Sequence, residues 1–255
     1  MKYTVLSLFP EIIEGYFKAS IMAKAVEKGL VEYNLVNIRD YAEDKHKTCD
    51  DAPYGGGAGM LMLAEPLGRA LDSVVGTGCV VGAGRALPVQ SGRRVIYMSP
   101  SGRPFTQALA QELSACDELV IICGRYEGID QRIIDLYVDD EISVGDYVLS
   151  SGEVAALILI DATYRLLGEV IRPESLDEES FAGGLLEYPQ WTRPEVYEGI
   201  PVPDVLLSGH HENIRKWRLK KQVEKTLKVR PDLIEAGIKN GSYSPEILDL
   251  IGETK

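Results

Sequence analysis

Cysteine and histidine are scarce in this 255-residue chain. There are four cysteines (Cys49, Cys79, Cys116, Cys123) and three histidines (His46, His210, His211). No two cysteines are spaced CxxC, so a structural zinc site is not expected. Four thiols spread over this length make no disulfide framework either; they read as reduced packing residues. Long hydrophobic runs are also missing. The longest, VAALILI at 154–160, stops at Asp161, far short of the ~20 apolar residues of a membrane span. The N-terminal MKYTVLSLFPEI has no small-residue cleavage site. No membrane or signal segment is therefore expected, and the cytosol is the expected compartment. Two nucleotide-binding fingerprints are absent: GxxxxGK[ST], and GxGxxG after a strand. Gly76-Thr77-Gly78 has the wrong third position and follows a helical pattern. Nothing here cradles a pyrophosphate, which disfavours a nicotinamide oxidoreductase.

Positive charge is in deficit overall: 27 Lys+Arg against 39 Asp+Glu give a net charge of −12. Averaged over the chain, that argues against a nucleic-acid binder. The distribution argues otherwise. Segment 215–230, RKWRLKKQVEKTLKVR, carries Arg215, Lys216, Arg218, Lys220, Lys221, Lys225, Lys228 and Arg230 against the single acid Glu224. A phosphate backbone responds to this local field and not to the average. Without further evidence the stretch would read as a solvated helix face.

Hydrophobics at 45% and charged residues at 26% are those of a folded globular chain. Residues 3–9 and 31–38 read as strands. Pro10 opens one helix running to about Lys28, and Pro66 another to about Val75. Residues 39–59 read as a long polar, then glycine-rich loop, and 76–93 as a second. A regular passage follows: strands at 94–99, 118–123 and 138–143, with helices at 106–115 and 130–137. Ser150 and Glu153 have capping-box spacing, opening a helix to about Leu167 whose 154–160 stretch, apolar all round, should be buried. This alternation predicts an α/β fold, a mostly parallel sheet with helices on both faces. From residue 172 the texture becomes acidic and linker-like. Beyond it only helices are expected, at 209–229 with Ser208 as N-cap, at 231–239, and at 244–251 with Ser244 as N-cap. The expected division is 1–170, a linker at 171–182, and a small helical C-terminal domain at 183–255.

Three strand ends run into glycine-containing turns: MSPSG (98–102), CGRYEG (123–128) and SVGDYVLSSGE (143–153). Ligands of open α/β sheets sit at the carboxyl ends of strands, so three such loops predict one crevice. A fourth glycine cluster, YGGGAGM at 54–60, follows Lys45, His46 and Lys47. It reads either as a plain hairpin or as a loop closing over a phosphate-bearing substrate.

Seven segments together resemble one family. They are SLFPE (7–11), RDY…DKHKT.DD.PYGGGAGM (39–60), SP.G (99–102), CGRYEGID.R (123–132), S.GDYVLS.GE (143–153), ESFAGGLLEYPQWTRPEV (179–196) and LLSGHHENIRKWR (206–218). In this order they resemble the bacterial tRNA (guanine-N1) methyltransferases of the TrmD type, within the SPOUT superfamily. The resemblance implies S-adenosylmethionine-dependent methylation of guanine N1 at position 37 of tRNA by a homodimer, with the cofactor in a trefoil knot. It places cofactor contacts on Pro100, Gly124, Tyr126, Glu127, Gly128, Ile129, Ser143, Val144, Gly145, Asp146, Tyr147, Val148, Leu149 and Gly152. It makes Arg165 the catalytic arginine. It places tRNA contacts on His46, the YGGGAGM loop and the basic helix, with Arg215, Lys216, Arg218, Lys220 and Lys221. The 1–170 region would then be the S-adenosylmethionine domain and 183–255 the tRNA-binding domain. Some members need magnesium, and no dedicated metal cluster stands out here.

Two positions depart from the family pattern. Ser151 stands where a glycine is usual. Glu179, just before Ser-Phe, stands where the family has its general-base aspartate, and a one-residue shortening upstream leaves Asp177 as a rival. The chemistry asks for such groups: guanine N1 is protonated at neutral pH, and a carboxylate can take its proton as general base. An arginine can then stabilise the negative charge developing on O6. These departures keep two other readings open: a SPOUT enzyme of different specificity, such as a ribose 2′-hydroxyl methyltransferase, and a non-catalytic RNA-binding protein of the same fold.

Overall fold

Every residue of the run Glu118–Cys123 is buried, because this strand, β6, lies at the centre of a five-stranded sheet. With β1 (Lys2–Ser7), β2 (Glu32–Asn37), β5 (Arg93–Pro104) and β7 (Asp140–Ser143), the order is β2-β1-β6-β5-β7. All neighbours are parallel. The computed structural model describes residues 1–76, 92–171 and 178–254; most of the loop expected at 76–93, and Asp177, fall outside them. The chain divides into two compact units, Met1–Ile171 and Arg172–Lys255.

Side-chain alternation along the strands builds two separate cores. Tyr3, Val5, Ile96, Met98, Leu119 and Ile121 face one, with α1 (Glu11–Phe17), α2 (Ser20–Glu27), α4 (Gln107–Ser114) and α6 (Gly152–Tyr164). Leu6, Val95, Tyr97, Val120 and Ile122 face the other, with α3 (Ala64–Val75) and α5 (Gln131–Tyr137). Two-faced burial is why these strands are apolar in runs. Local chemistry sets the helix starts. The Thr106 hydroxyl accepts the Leu109 N–H at 3.3 Å, and the Asp130 carboxylate accepts the Arg132 N–H at 2.9 Å, both N-caps.

Several elements differ from expectation. The helix expected from Pro10 to Lys28 is broken, with Ala19 extended and Ser20 at φ 55. A continuous helix following Ile13 and Phe17 would carry Ile21 inward. The break instead buries Met22 and Ala25 and leaves Ile21 45% exposed. The capping box also fails to form. Helix α6 starts at Gly152 after Ser151, with no side-chain cap, because Glu153 is fully buried and bonded elsewhere. Nor is 154–160 buried all round: Val154 and Ile158 are 46% and 40% exposed, since the sheet covers one side of α6 only.

In the second unit α8 (His211–Val229), α9 (Pro231–Asn240) and α10 (Pro245–Thr254) close around Leu185, Val223, Ile234, Tyr243 and Ile251, and the short α7 (Asp204–Leu207) packs on α8. The Tyr243 hydroxyl is bonded to the carbonyls of Gly184 and Leu233, each at 3.0 Å. Ser208 is not an N-cap of α8. It follows α7 and donates to the Val205 carbonyl at 2.7 Å. A short antiparallel hairpin, Val196–Tyr197 with Ile200–Pro201, has no counterpart among the expected elements; two-residue strands give no usable alternation.

Candidate active site

Strands β5, β6 and β7 lie side by side and end at the same edge, so the loops that leave them converge. Beyond Met98, β5 shifts register and pairs with β7 again through Arg103 and Pro104. That second pass brings chains very close. A Cβ on Gly102 would lie 2.4 Å from the Glu141 carbonyl carbon. A Cβ on Gly152 would lie 2.8 Å from Cys123 Cα and Gly124 N. Both obstacles are backbone, so only glycine fits at either place. The Gly152 N–H donates to the Gly124 carbonyl at 2.9 Å, joining the α6 start to the loop after β6.

The converging loops enclose a cavity of about 390 Å³. Pro100, Gly124, Tyr126, Glu127, Gly128, Ile129, Ser143, Val144, Gly145, Tyr147, Val148, Leu149 and Gly152 all line it. Asp146 does not; it is exposed at the loop tip. Ile129, Ile134, Ile142, Leu149 and Ala155 add apolar wall among backbone polar edges, which suits a flat nucleoside with a short polar chain. Ser151, at φ −167, is ordinary extended backbone, so its place in the turn needs no glycine. Burial, then Glu141, pushes the Tyr97 hydroxyl up, so that hydroxyl stays neutral.

Beside the cavity lies a buried ionic group that capping-box spacing alone would make a helix cap. Glu153 accepts the Ser7 hydroxyl at 2.6 Å and lies 3.6 Å from Arg125 Nε. The Arg125 guanidinium stacks on Phe9, 4.3 Å from the ring centroid. Arg125 lines the cavity, so β1, the loop after β6 and the first turn of α6 are fastened together there. The sequence signal for this role is an acid heading an otherwise apolar helix. Burial and the Glu153 charge push the Cys123 thiol well up, so it stays an inert packing residue.

The small hairpin of β3 (Asp50–Asp51) and β4 (Leu61–Met62) docks on the same loop. Met62 N–H donates to the Gly128 carbonyl at 2.9 Å, and Glu127 N–H to the Met60 carbonyl at 3.0 Å. Its tip is the YGGGAGM segment, with Tyr54 fully exposed. His46 lies in the preceding exposed turn, where Asp44 accepts the His46 and Thr48 N–H groups at 2.9 and 2.8 Å. Those backbone bonds, Thr48 first, hold the Asp44 carboxyl below its usual range. Among the described residues no group of three or more His, Cys, Asp or Glu could hold a metal ion. No helix there is long and apolar enough to cross a membrane.

Arg165 follows the last turn of α6 in the first unit, and Glu179 lies near the start of the second. Both are half-buried. Glu178, one residue before Glu179, accepts the Tyr188 hydroxyl and lies 3.5 Å from Arg218. The basic segment forms most of α8. Its field is weaker than the segment's count implies, because Glu212 precedes it on the same helix and the fold adds Glu246. Arg215 is paired with Glu212 and Glu246 at 3.0 and 2.9 Å. Lys216 lies 3.6 Å from Glu212, and Lys221 lies 2.6 Å from Glu224. Lys220 is exposed.

Comparison with known proteins adds an independent line. Residues 1–236 match the family model described as tRNA (Guanine-1)-methyltransferase TrmD. A tRNA (guanine-N(1)-)-methyltransferase of Treponema denticola is 62% identical over 99% of this chain and 98% of its own length. The protein of that name from Treponema pallidum is 55% identical over 99% and 96%. The one from Borreliella burgdorferi is 60% identical over 91% and 92%. With the family model matched over residues 1–236 and relatives covered over nearly their whole length, the chain belongs to the TrmD family of tRNA (guanine-1)-methyltransferases.

Proposed function

We propose that this chain methylates N1 of the guanine at position 37 of tRNA, using S-adenosylmethionine. The observation that carries the reading is the cavity at the β5, β6 and β7 ends, where the expected cofactor residues other than Asp146 come together. When bound, S-adenosylmethionine supplies a methyl group already activated by its sulfonium. The chain's own task is to orient the reactants, remove a proton and answer a developing charge.

In this reading loops 99–102, 124–129 and 143–152 hold the cofactor, in the trefoil knot the family resemblance implies. Glu179 takes the N1 proton as general base. Arg165 stabilises the negative charge on guanine O6 as that proton leaves. Holding N1 in line with the methyl carbon is a matter of position, and misplacement by about an ångström costs on the order of 100-fold. His46, the YGGGAGM tip and Arg215, Lys216, Arg218, Lys220 and Lys221 hold the tRNA through its phosphates. The hairpin's backbone bonds to 127–128 link that tip to the cofactor loop.

The working form is a homodimer in the cytoplasm. Exposed Ile12, Val154 and Ile158, on helices α1 and α6 that pack together, favour a partner copy on that face. Domain roles follow: residues 1–170 for the cofactor, 171–182 as linker, 183–255 for tRNA. Magnesium dependence is read by assaying with and without chelator.

The test is to incubate unmodified tRNA with methyl-labelled S-adenosylmethionine and map the label. We expect 1-methylguanosine at position 37 and no label on a transcript with adenine there. Label on a ribose 2′-hydroxyl would identify the other chemistry of this fold. Binding of tRNA without cofactor binding or transfer would identify a non-catalytic protein.

A further inference from the structure

The second unit contains a cavity of about 440 Å³ that the proposed chemistry does not use. It lies between the 188–193 segment, α7 and α8, and its walls include Tyr188, Trp191, Leu206, Leu207, Ile214 and Arg218. We propose that this cavity is a stacking pocket for one unpaired nucleobase of the bound tRNA. The inference rests on the tRNA-binding reading above and extends it from phosphate contacts to a base contact.

Three observations carry it. The first is planarity. The Arg218 guanidinium lies over the Tyr188 ring, 4.6 Å from its centroid, and Trp191 meets Trp217 at 5.4 Å. Splayed RNA bases are taken up on such aromatic and guanidinium planes. The second is unspent hydrogen-bonding capacity. Arg218 Nε is buried with no hydrogen-bond partner among the described residues. That is a costly state in a finished core but one suited to a heteroaromatic ring that brings acceptors. The third is charge. Arg193 and Arg218 line the cavity beside the single acid Glu195, so a strand whose phosphates meet these arginines passes the pocket mouth. A protein partner would meet the same apolar walls, yet it would not explain a cationic rim on a chain of net charge −12. The site also adjoins the proposed base, since Glu178 holds both Tyr188 and Arg218 next to Glu179.

The chain has two tryptophans, so Trp217→Phe leaves Trp191 as the only indole reporter. Unmodified tRNA should quench its fluorescence saturably, along the same isotherm as binding measured by filter retention. Trp191 is 39% exposed, so Trp191→Ala should fold. It should bind tRNA about tenfold more weakly, the scale of one stacked base. Its salt slope should be unchanged, because every phosphate-binding cation is still present. Trp191→Phe should restore most of the affinity. If wild type binds and methylates tRNA while Trp191→Ala binds equally well, the pocket holds no base. Absence of Trp191 quenching at saturating tRNA leads to the same conclusion. A fluorescence change that follows protein concentration without RNA would assign the pocket to a second copy and overturn the proposal. Failure of wild type itself to bind tRNA would instead overturn the reading on which the pocket rests.

Discussion

Glu179 sits on a backbone that is fixed on both sides. Glu178 is held by Tyr188 and Arg218, and the Glu179 carbonyl accepts the Ala182 N–H at 3.2 Å. Any difference in reach from the family's aspartate must therefore be met by the side chain, one methylene longer on a tether one residue shorter. Glu179→Gln keeps size and hydrogen bonding but removes the base. We expect methyl transfer to fall about 100-fold or more, with tRNA and cofactor affinities unchanged in equilibrium binding. Glu179→Asp should keep part of the rate, and Asp177→Asn most of it. A dead Asp177→Asn beside an active Glu179→Gln would move the base two residues earlier. Residue roles are legible in the sequence where they depend on a motif, as with the glycine turns. They are not legible where they depend on burial. Glu153 at capping-box spacing looks like a helix cap, and only three-dimensional packing sends it to Ser7 and Arg125.

At the level of elements, β6 carries one ionisable group at its start. Desolvation pushes the Glu118 carboxyl up, but bonds from Lys2, Thr4 and Arg93 together outweigh it and hold the group below its usual range. Arg93 Nε lies 2.7 Å away. A lowered native pKa stabilises the fold above the unfolded value, near 4.5, and that contribution is lost as pH falls through the native value. Glu118→Gln should therefore cost about 1.5–3 kcal/mol at neutral pH. The gap to wild type should close in acid when thermal unfolding is followed from pH 7 to pH 3; a constant gap would contradict the assignment. Helix α8 gives a second test. Charge reversal at Lys220 and Lys221 should weaken tRNA binding and flatten its salt dependence, by roughly one unit of log–log slope for each phosphate no longer neutralised. Cofactor affinity should stay unchanged in calorimetry. The type of β6 is readable because its short run after Glu118 is apolar throughout, as burial on both faces requires. The α1–α2 break is not readable, since Ile21 and Met22 are equally apolar in the sequence and only packing chooses between them.

For the whole molecule, the two groups proposed to act on guanine belong to different compact units: Arg165 to Met1–Ile171 and Glu179 to Arg172–Lys255. The change of texture near residue 172 marks that division in the sequence. The second pass of β5 beside β7 has no such mark, because the rules that prune topologies favour simple unthreaded connections. Exposed apolar side chains on α1 and α6 favour a two-fold assembly, and a two-fold axis creates two equivalent sites. We expect each site to take Arg165 from one protomer and Glu179 from its partner. Arg165→Ala and Glu179→Ala homodimers should then both be inactive, with neither group replaced. In a mixed dimer one site collects both substitutions and the other collects none, so one site of two is intact. With random exchange of equal amounts, half of the dimers are mixed, and activity should return to about one quarter of the wild-type rate per protomer. Subunit exchange is verified by native mass spectrometry of differently tagged chains, and the rate by labelled methyl transfer to tRNA. If exchange is complete and no activity returns, both groups act within one protomer and the shared-site arrangement is wrong.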